Sequence, residues 1–255
     1  MKIEVDYEKQ VVIKNSDNRT ETFRFDSEEA FNLISEAYIR LGWDNKYVYS
    51  FTWMGRPIIQ LPEDMIRAQE LIYEVKPDLL IEIGVAHGGS LVYYGSLMKA
   101  MGVGRVLGVD IEIREHNKEA ILKHEVSDII TLIQGSSIDP KVINSVRSNI
   151  VAGEKVMIFL DGNHTYEHVM KELIEYSFMV TRGSYIVAMD GIQRDLVGAP
   201  RSKDDWTWNN AANAAEDFVK KHKESFAIQK RTPIFNEGNI TDFITYWPSG
   251  YIKRI

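Results

Sequence analysis

Short apolar runs alternate with longer amphipathic segments from residue 62 onward, the pattern of a parallel α/β sheet whose strands alternate with helices. Each run has six or seven residues, too few for a helix, and turn residues bound it. The runs predicted as buried parallel strands are 79–84, 105–110, 129–134, 155–161 and 184–190. The segments between them are predicted as crossover helices, so we expect a mostly parallel sheet with helices on both faces.

Further patterns extend this sheet domain. Pro62 and Asp64 start a predicted helix that ends at Tyr73, and a second amphipathic segment predicts a helix over 211–220. The β-favouring run Asp242–Tyr246 is predicted as the final strand. Together with Phe226–Ile228 it is expected to close the sheet as an antiparallel pair.

The first residues follow a different pattern. Alternating runs at 3–7 and 22–25 flank the turn-rich segment 15–18, which predicts the strands of a hairpin. Asp26, with Glu29 three positions later, resembles a helix start, and apolar residues then recur at helical spacing over 27–41. We therefore expect residues 1–45 to form a hairpin-and-helix appendage and residues 46–255 to form the main domain.

Composition narrows the class of protein. The chain has 255 residues, of which 44% are hydrophobic and 26% charged, which suits one large folded domain with an appendage. No apolar run approaches the roughly 18 to 20 residues that a membrane-spanning helix needs. The sequence thus predicts neither disorder nor a membrane span.

Charge and cysteine content exclude further partners and sites. Thirty Lys and Arg against 37 Asp and Glu give a net charge of −7, the opposite of a nucleic-acid-binding surface. With no cysteine, any metal must be held by oxygen or imidazole ligands. Glu4 and Asp6 interrupt the N-terminal stretch that a signal peptide would keep apolar, so we expect a cytoplasmic protein.

A glycine-rich segment, Glu82–Ser90, joins the first predicted strand to the next helix. Its spacing, G-x-x-x-G-G, differs from the dinucleotide pattern G-x-G-x-x-G, and Glu82 is a poor neighbour for a pyrophosphate. We infer a ligand with a cationic end, and S-adenosylmethionine fits because its amino group and sulfonium can face carboxylates. An ordinary strand-to-helix turn is the alternative. The candidate cofactor-binding residues here are Glu82, Gly84, Ala86, Gly88, Gly89 and Ser90.

Two later strand ends extend the candidate cofactor site. Asp110 ends the second strand, where an acid in such folds binds a ribose diol, although it could equally cap the next helix. Gly135, Ser136 and Ser137 follow the third strand and offer small hydroxyl groups to an adenine edge, or else form a polar turn.

A second set of chemical groups follows the next two strands. Asp161 and Asp190 end their strands and are expected to converge in the crevice at the carboxyl edge of the sheet, where they suit Mg²⁺ or a similar cation. Asp161 is also a candidate cofactor-binding residue. His164, three residues after Asp161, is the candidate proton acceptor, with a capping or surface position as the alternative. The remaining histidines are assigned to ordinary structural positions: His87, His116, His124, His168 and His222.

These motifs, in this order, resemble the cephalosporin hydroxylase and rhamnosyl O-methyltransferase family of class I S-adenosylmethionine-dependent methyltransferases. The resemblance leaves out residues 1–44. The segments that carry it are 53–55, 62–64, 76–78, 82–84, 88–90, Asp110, 135–137, 161–166 and 245–254.

The resemblance implies a Rossmann-like fold with a mostly parallel seven-stranded sheet. It also implies that Asp161 and an acid pair ending at Asp190 hold Mg²⁺ and that His164 is the base. Met189 departs from the pattern, because it stands where the family has the first acid of that pair. Only two side-chain ligands then remain, and whether Asn163 or Glu167 replaces the third stays open.

The expected activity is S-adenosylmethionine-dependent O-methylation. Mg²⁺ on Asp161 and Asp190 would acidify a sugar hydroxyl, in a nucleotide-linked sugar, a glycan or a glycosylated natural product, and His164 would take its proton. Arg194 and Arg201, with Lys203, could hold a diphosphate handle. Trp206 and Trp208 could form a lid, although Trp208 also suits a hydrophobic staple before the helix that follows. The candidate substrate contacts are Trp53, Tyr166, Arg194, Arg201, Trp206 and Trp208.

Two other classes of protein compete with this interpretation. A nicotinamide-dependent oxidoreductase would explain the sheet and Asp110, but it predicts the tighter glycine loop. A catalytically inactive binding module would explain the missing acid at Met189. The N-terminal appendage further predicts a homo-oligomer.

Overall fold

The computed structural model describes residues 1–16 and 19–255 and divides them into two compact units. One unit consists of Met1–Asn45 with Arg231–Ile244, and the other of Lys46–Lys230 with Thr245–Ile255. The grouping of Arg231–Ile244 with the N-terminal residues differs from the expected division, in which everything after residue 45 belongs to the main domain. None of the helices in the described residues is both long and apolar enough to span a bilayer.

The N-terminal unit contains a three-stranded antiparallel meander and one helix. The strands are β1 (Lys2–Asp6), β2 (Val11–Ser16) and β3 (Arg19–Arg24), and the helix is α1 (Glu28–Asp44). The predicted hairpin lacked β2, which pairs with both neighbours. The predicted turn at 15–18 falls partly on residues 17 and 18, which lie outside the described residues.

The start of α1 also differs from the prediction. Ser27 caps the helix, because its side chain accepts a hydrogen bond from the backbone N–H of Ala30. Asp26, the predicted cap, instead forms an exposed ion pair with Arg24. The helix packs on the meander through a small core that contains Val12, Ala30 and Leu33.

The main unit begins with a short hairpin of β4 (Phe51–Trp53) and β5 (Arg56–Ile58). Helices and strands then alternate. They are α2 (Pro62–Val75), β6 (Leu79–Ile83), α3 (Gly89–Met101), β7 (Arg105–Asp110), α4 (Glu115–Leu122), β8 (Ile130–Gln134), α5 (Pro140–Ser148), β9 (Val156–Leu160), α6 (Tyr166–Tyr176), β10 (Tyr185–Ala188), α7 (Ala211–Lys221), β11 (Phe226–Ile228) and β12 (Tyr251–Arg254).

Seven strands form one sheet in the order β11-β12-β10-β9-β6-β7-β8. The strands β8, β7, β6, β9 and β10 run parallel to one another, whereas β12 runs antiparallel to both β10 and β11. The Rossmann-like, mostly parallel sheet predicted from the sequence is therefore confirmed. Because strand order reverses between β6 and β9, a ligand crevice is expected at the carboxyl ends of these strands.

The predicted final strand, Asp242–Tyr246, is wrong. These residues form no strand in the structure, and the strand that completes the sheet is Tyr251–Arg254. The physical reason is a side-chain contact: the buried carboxylate of Asp64 accepts hydrogen bonds from the Thr245 hydroxyl and the Tyr246 backbone N–H. Phe226–Ile228 is a strand as predicted, but its partner is β12.

The two faces of the sheet are covered by different helices. Alternate side chains of β6, β9 and β10 share a core with apolar residues of α5, α6 and α7. Residues of the opposite parity meet α3, where Tyr94 stacks on Phe159 with ring centroids 5.1 Å apart. This double cover buries β6 and β9 completely and leaves only their carboxyl ends for chemistry.

Candidate active site

The loop after β6 brings two strand ends close together. Gly84 has a φ of +103°, and a Cβ on it would collide with the backbone carbonyl of Asp161, which follows β9. The N–H of Gly84 donates to the carbonyl of Val109 at 2.7 Å, while Asp161 donates its N–H to Ile83 at 2.7 Å. Only glycine allows this approach, so its position in the predicted motif has a direct steric cause.

Asp110 anchors the glycine loop through its carboxylate. Its carboxylate accepts hydrogen bonds from the backbone N–H groups of Val85 at 2.7 Å and Ala86 at 3.1 Å, and from Glu112 at 3.0 Å. The acid therefore holds the glycine loop in place, and its contact with a ribose stays a prediction.

A cavity of about 310 Å³ lies beside this loop. It brings together most of the predicted cofactor-binding residues, which come from the ends of β6, β7, β8 and β9. Those that line it are Gly84, Ala86, Asp110, Gly135, Ser136, Ser137 and Asp161. Its volume is at the lower end of the range for small-molecule sites, roughly 300 to 1,000 Å³. Gly88, the N-cap of α3, does not line this cavity in the described structure.

Glu82 is a fully buried carboxylate at the end of β6. One of its oxygens accepts a hydrogen bond from the Ser90 hydroxyl at 2.7 Å, and the other has no hydrogen-bond partner among the described residues. Burial raises the pKa of Glu82 to about 8, against the lowering effect of hydrogen bonding by the Ser90 and Tyr94 hydroxyl groups. Such a group favours a cationic or hydrogen-donating ligand.

Asp161, His164 and Asp190 converge at the carboxyl ends of β9 and β10. One donor atom from each lies within 4.8 Å of the others, and Nε2 of His164 is 3.5 Å from Oδ2 of Asp190. The side chains of His164 and Asp190 are 19% and 30% exposed, so the cluster can be reached from solvent. The Nδ1 atom of His164 is buried and has no partner within the described residues.

The two carboxylates of this cluster oppose each other's ionisation. Desolvation raises the pKa of Asp161 well above its usual value, and the charges of Asp190 and Glu82 raise it further. Desolvation also raises the pKa of Asp190, while His164 lowers it. Two acids that resist ionising together, joined by an imidazole, are a donor set that a divalent cation would stabilise.

A second cavity, of about 170 Å³, opens at this cluster. It shares Gly84, Ala86 and Asp161 with the larger cavity. Its other lining residues include Tyr49, Gln60, Gly89, Ser90, His164 and Asp190. The two cavities therefore adjoin each other. One lies beside the glycine loop, and the other lies at the cluster of Asp161, His164 and Asp190.

One family model matches most of this chain. The model, described as rhamnosyl O-methyltransferase/CmcI, covers residues 45–255. The chain belongs to the rhamnosyl O-methyltransferase/CmcI family. This membership confirms the resemblance inferred from the sequence, and residues 1–44 lie outside the match as expected.

Relatives of known name support the same family. The rhamnosyl O-methyltransferase of Mycobacterium bovis is 29% identical over 162 residues, which cover 62% of this chain and 64% of that protein. The chain therefore matches less than two thirds of that relative's length. An apo structure of CmcI is similar in fold, with a TM-score of 0.54 and 18% identity over 81% of this chain and 77% of CmcI. A CmcI structure with magnesium and S-adenosylmethionine has a TM-score of 0.52 at the same identity and coverage.

Met189 stands where the resemblance implies a third acid, and whether Asn163 or Glu167 replaces it stays open. Met189 is fully buried. Asn163 uses its side-chain oxygen to accept hydrogen bonds from the N–H and hydroxyl of Thr165, and Glu167 is exposed. Within the described residues, His164 is the third donor beside Asp161 and Asp190.

Two of the six predicted substrate contacts line a common cavity. Tyr166 and Trp208 line a third cavity of about 420 Å³, together with Asn213, Glu216 and Asp217. Trp206 is buried and offers little surface to a ligand, and its assignment to a lid stays a prediction.

The remaining predicted contacts are engaged elsewhere. Arg194 donates to Glu216 at 2.8 Å, which leaves it poorly suited to a diphosphate. Trp53 donates its indole N–H to Ser96 at 3.0 Å and packs edge-on against Tyr93. Neither Trp53 nor Arg201 lines any of the three cavities described here.

Sequence reasoning missed the residues that support the site from the segment before β6. Gln60 donates a hydrogen bond to Oδ2 of Asp161 at 2.8 Å. Arg56 donates to the carbonyl of His87 at 3.1 Å and to the side chain of Asn117 at 3.0 Å. These residues belong to no motif, and only the folded hairpin brings them to the loop.

Proposed function

We propose that this chain is an S-adenosylmethionine-dependent O-methyltransferase that methylates a sugar hydroxyl with the help of a divalent cation. The observation that carries the proposal is the shared wall of the two cavities. Gly84 and Asp161 line both of them. A cofactor in the cavity of about 310 Å³ and a hydroxyl group at the acid–histidine cluster would therefore meet at these residues.

The family and its relatives support both the reaction and the cofactors. Mycobacterial relatives carry the name rhamnosyl O-methyltransferase, and CmcI has been solved with magnesium and S-adenosylmethionine. Since fold alone does not define function, the argument depends equally on this chain's own residues.

The cofactor site suits a positively charged ligand. Asp161 and Asp190 give the loop an acidic surrounding, which favours a ligand with a positive charge. The G-x-x-x-G-G spacing of the loop also differs from the pattern of a nicotinamide dinucleotide site. When bound, S-adenosylmethionine supplies an electrophilic methyl group on a sulfonium. Glu82 and the loop from Gly84 to Ser90 would hold it.

The metal site has two carboxylates and an imidazole within reach of one ion. Asp161 and Asp190 would hold Mg²⁺, whose charge lowers the pKa of a nearby hydroxyl group. Gln60 orients Asp161 through its hydrogen bond. His164 would accept the proton of a bound hydroxyl group on Nε2, and the neighbouring carboxylate of Asp190 would stabilise the resulting imidazolium.

The third cavity favours an uncharged sugar over a nucleotide-linked one. Tyr166 and Trp208 offer aromatic faces, on which the apolar face of a sugar can pack. Glu216 and Asp217 would repel a diphosphate, and Arg194 is already paired with Glu216. The favoured acceptor is therefore a sugar of a glycan or glycosylated natural product, with a rhamnoside as the first compound to test.

Calorimetric titration tests the proposal directly. S-adenosylmethionine and S-adenosylhomocysteine are titrated into metal-stripped protein, with and without Mg²⁺, and NADH serves as the control. Binding of the first two, followed by a mass gain of one methyl group on a rhamnoside, is the expected result. Binding of NADH alone would favour an oxidoreductase, and binding of none of the three would favour an inactive module.

A further inference from the structure

The cavity of about 170 Å³ has two chemically different walls. The acid–histidine cluster of Asp161, His164 and Asp190 gives it a charged wall. The segment before α2 gives it an apolar wall, which includes Tyr49 and Ile59. A sugar ring has the same division, with hydroxyl groups at its edge and C–H groups on its faces. The cavity therefore suits a sugar ring that packs on the apolar wall and directs one hydroxyl group to the cluster.

Tyr49 is the side chain of the apolar wall that is most open to a ligand. It is 65% exposed, although it lines the cavity. Tyr49 belongs to a single helical turn, Tyr47–Ser50, in which Val48 is buried and the Ser50 hydroxyl donates to the carbonyl of Tyr47 at 2.6 Å. The turn therefore holds an accessible aromatic ring beside the cluster, and such a ring can pack on the C–H face of a sugar.

The cavity of about 420 Å³ adjoins this one but is a separate space. Among the described residues, its lining shares no member with that of the other two cavities. However, His164 lines the smaller cavity, and Tyr166, two residues later, lines the cavity of about 420 Å³. Two residues of chain span at most about 7 Å, so the walls of the two cavities meet at this point.

The cavity of about 420 Å³ offers aromatic faces and hydrogen-bond acceptors. Tyr166 donates its phenol hydrogen to Oδ2 of Asp217 at 2.8 Å. Asn213 donates its amide hydrogens to the carbonyls of Thr207 at 3.3 Å and Trp208 at 3.2 Å. The amide oxygen of Asn213 and the second carboxylate oxygen of Asp217 are thus left to accept hydrogen bonds from a ligand. Acceptors beside aromatic faces suit a ring with several hydroxyl groups better than an aromatic aglycone.

We propose that the acceptor is an oligosaccharide bound across both cavities, with the ring to be methylated against Tyr49 and the adjoining ring against Tyr166 and Trp208. The inference rests on the proposed function, because the reacting hydroxyl group must lie at the acid–histidine cluster. A single sugar would fill only one of the two cavities. When two rings are linked, binding of the first raises the effective concentration of the second, so a disaccharide gains affinity that neither ring has alone.

The wild-type protein gives the first test, in which initial rates of methyl transfer are compared for methyl rhamnoside, phenyl rhamnoside and a rhamnosyl-rhamnoside. We expect kcat/KM of the disaccharide to exceed that of each of the other two about tenfold or more. Equal values for the disaccharide and methyl rhamnoside, or for the disaccharide and phenyl rhamnoside, would overturn the inference and leave the proposed function intact. No methyl transfer to any of the three would overturn the proposed function as well.

Trp208→Ala tests the position of the second ring. Because Trp208 is 57% exposed, its truncation should leave the fold intact, while kcat/KM of the disaccharide falls to within about twofold of that of methyl rhamnoside. Tyr73→Ala is the matched control, since Tyr73 is 58% exposed and lines none of the three cavities described here. It should keep the wild-type preference. An unchanged preference in Trp208→Ala would overturn the inference.

Tyr49→Ala tests the position of the first ring. We expect KM to rise about tenfold for methyl rhamnoside and for the disaccharide alike, while calorimetry gives a Kd for S-adenosylhomocysteine within about twofold of the wild type. A KM that does not change would overturn the contact between Tyr49 and the acceptor. Loss of affinity for S-adenosylhomocysteine would show that Tyr49 covers the cofactor instead, and it would equally overturn the inference.

Discussion

His164 has two chemical environments, one on each ring nitrogen. Nε2 faces Asp190, whereas Nδ1 is buried without a partner within the described residues. Such an imidazole can accept a proton from a hydroxyl group, and it can also donate a lone pair to a metal. The two roles predict different consequences when the ring is removed.

Replacing His164 with Gln separates its two possible roles, proton acceptor and metal ligand. If His164 is the base, turnover should fall about 100-fold or more, while S-adenosylhomocysteine and Mn²⁺ bind as in the wild type. The measurements are initial rates of methyl transfer and calorimetric titration of each ligand. His116→Gln, an exposed histidine, is the control. A parallel loss of Mn²⁺ affinity would instead identify His164 as a metal ligand and contradict its role as base.

Glu82→Gln tests the electrostatic cost of the buried carboxylate. Because the pKa of Glu82 is raised to about 8, the folded protein holds a proton that the unfolded chain has already lost above pH 4.5. Stability should therefore fall as pH rises from about 4.5 to 8, by up to roughly 4 kcal/mol for this one group. The Glu82→Gln variant should not show this loss of stability between pH 4.5 and 8.

Urea unfolding at pH 5 and pH 8 measures the effect. We expect Glu82→Gln to gain stability relative to the wild type at pH 8 and to gain less at pH 5. Its affinity for S-adenosylmethionine should fall. Equal stability differences at the two pH values would show that the carboxylate ionises normally in the folded protein.

Residue positions in the site were predictable where they follow strand ends, and their hydrogen-bond partners were not. Asp161 and Asp190 follow recognisable apolar runs, so parallel topology alone places them together. Asp110 and Ser137 were found as lining residues, but their partners, the loop amides and Glu172, depend on side-chain packing. Gln60 carries no signal, because a single amide before a helix is common in any sequence.

At the scale of elements, the contact between the loop after β6 and the end of β9 depends on Gly84, which has no side chain. Gly84→Ala would add both a left-handed backbone penalty and a collision with Asp161. Gly153→Ala is a matched control, because Gly153 also has a positive φ but nothing lies within 4 Å of the added carbon.

The two substitutions should differ in their effect on the free energy of unfolding. We expect Gly153→Ala to cost about 1 kcal/mol, from backbone strain alone. Gly84→Ala should cost at least about 2 kcal/mol more, and cofactor binding should be lost with it. Urea unfolding and calorimetry measure both quantities. Equal losses of stability would mean that the loop can move away from Asp161 without cost.

The five parallel strands were predictable because each is an apolar run between turn residues, and this pattern arises from burial on both faces. The closing strand was not. Asp242–Tyr246 contains more β-favouring residues than Tyr251–Arg254, yet Asp64 holds Thr245 and Tyr246 outside the sheet. A hydrogen bond between residues far apart in sequence therefore outweighs the local β-strand propensity.

At the scale of the whole molecule, metal binding should couple to both pH and stability. The pKa values of Asp161 and Asp190 are raised, so protons compete with a cation for these oxygens as pH falls. We expect Mg²⁺ to raise the melting temperature more at pH 8 than at pH 6. Differential scanning calorimetry measures the shift, with Asp190→Asn as the control. A larger shift at pH 6 would contradict this metal site.

The N-terminal unit leads to a prediction about assembly. Its meander leaves β1 and β3 as edge strands, and Leu41 on α1 is 61% exposed. Exposed edges and apolar side chains of this kind favour contact with another copy of the chain. Light scattering at micromolar concentration should give a multiple of 29.3 kDa. A monomeric mass would contradict the prediction.

The antiparallel strand β12 lies between β10 and β11, although both of these precede it in sequence. A ribosome releases the chain in sequence order, so β6 to β10 can pair while synthesis continues, and β11 cannot join them. Until residues 251–254 emerge, the nascent sheet keeps β10 as an open edge that other nascent chains can extend. Cotranslational folding of this domain is therefore completed only by its final strand, and chaperone binding during that interval would protect the unpaired edge.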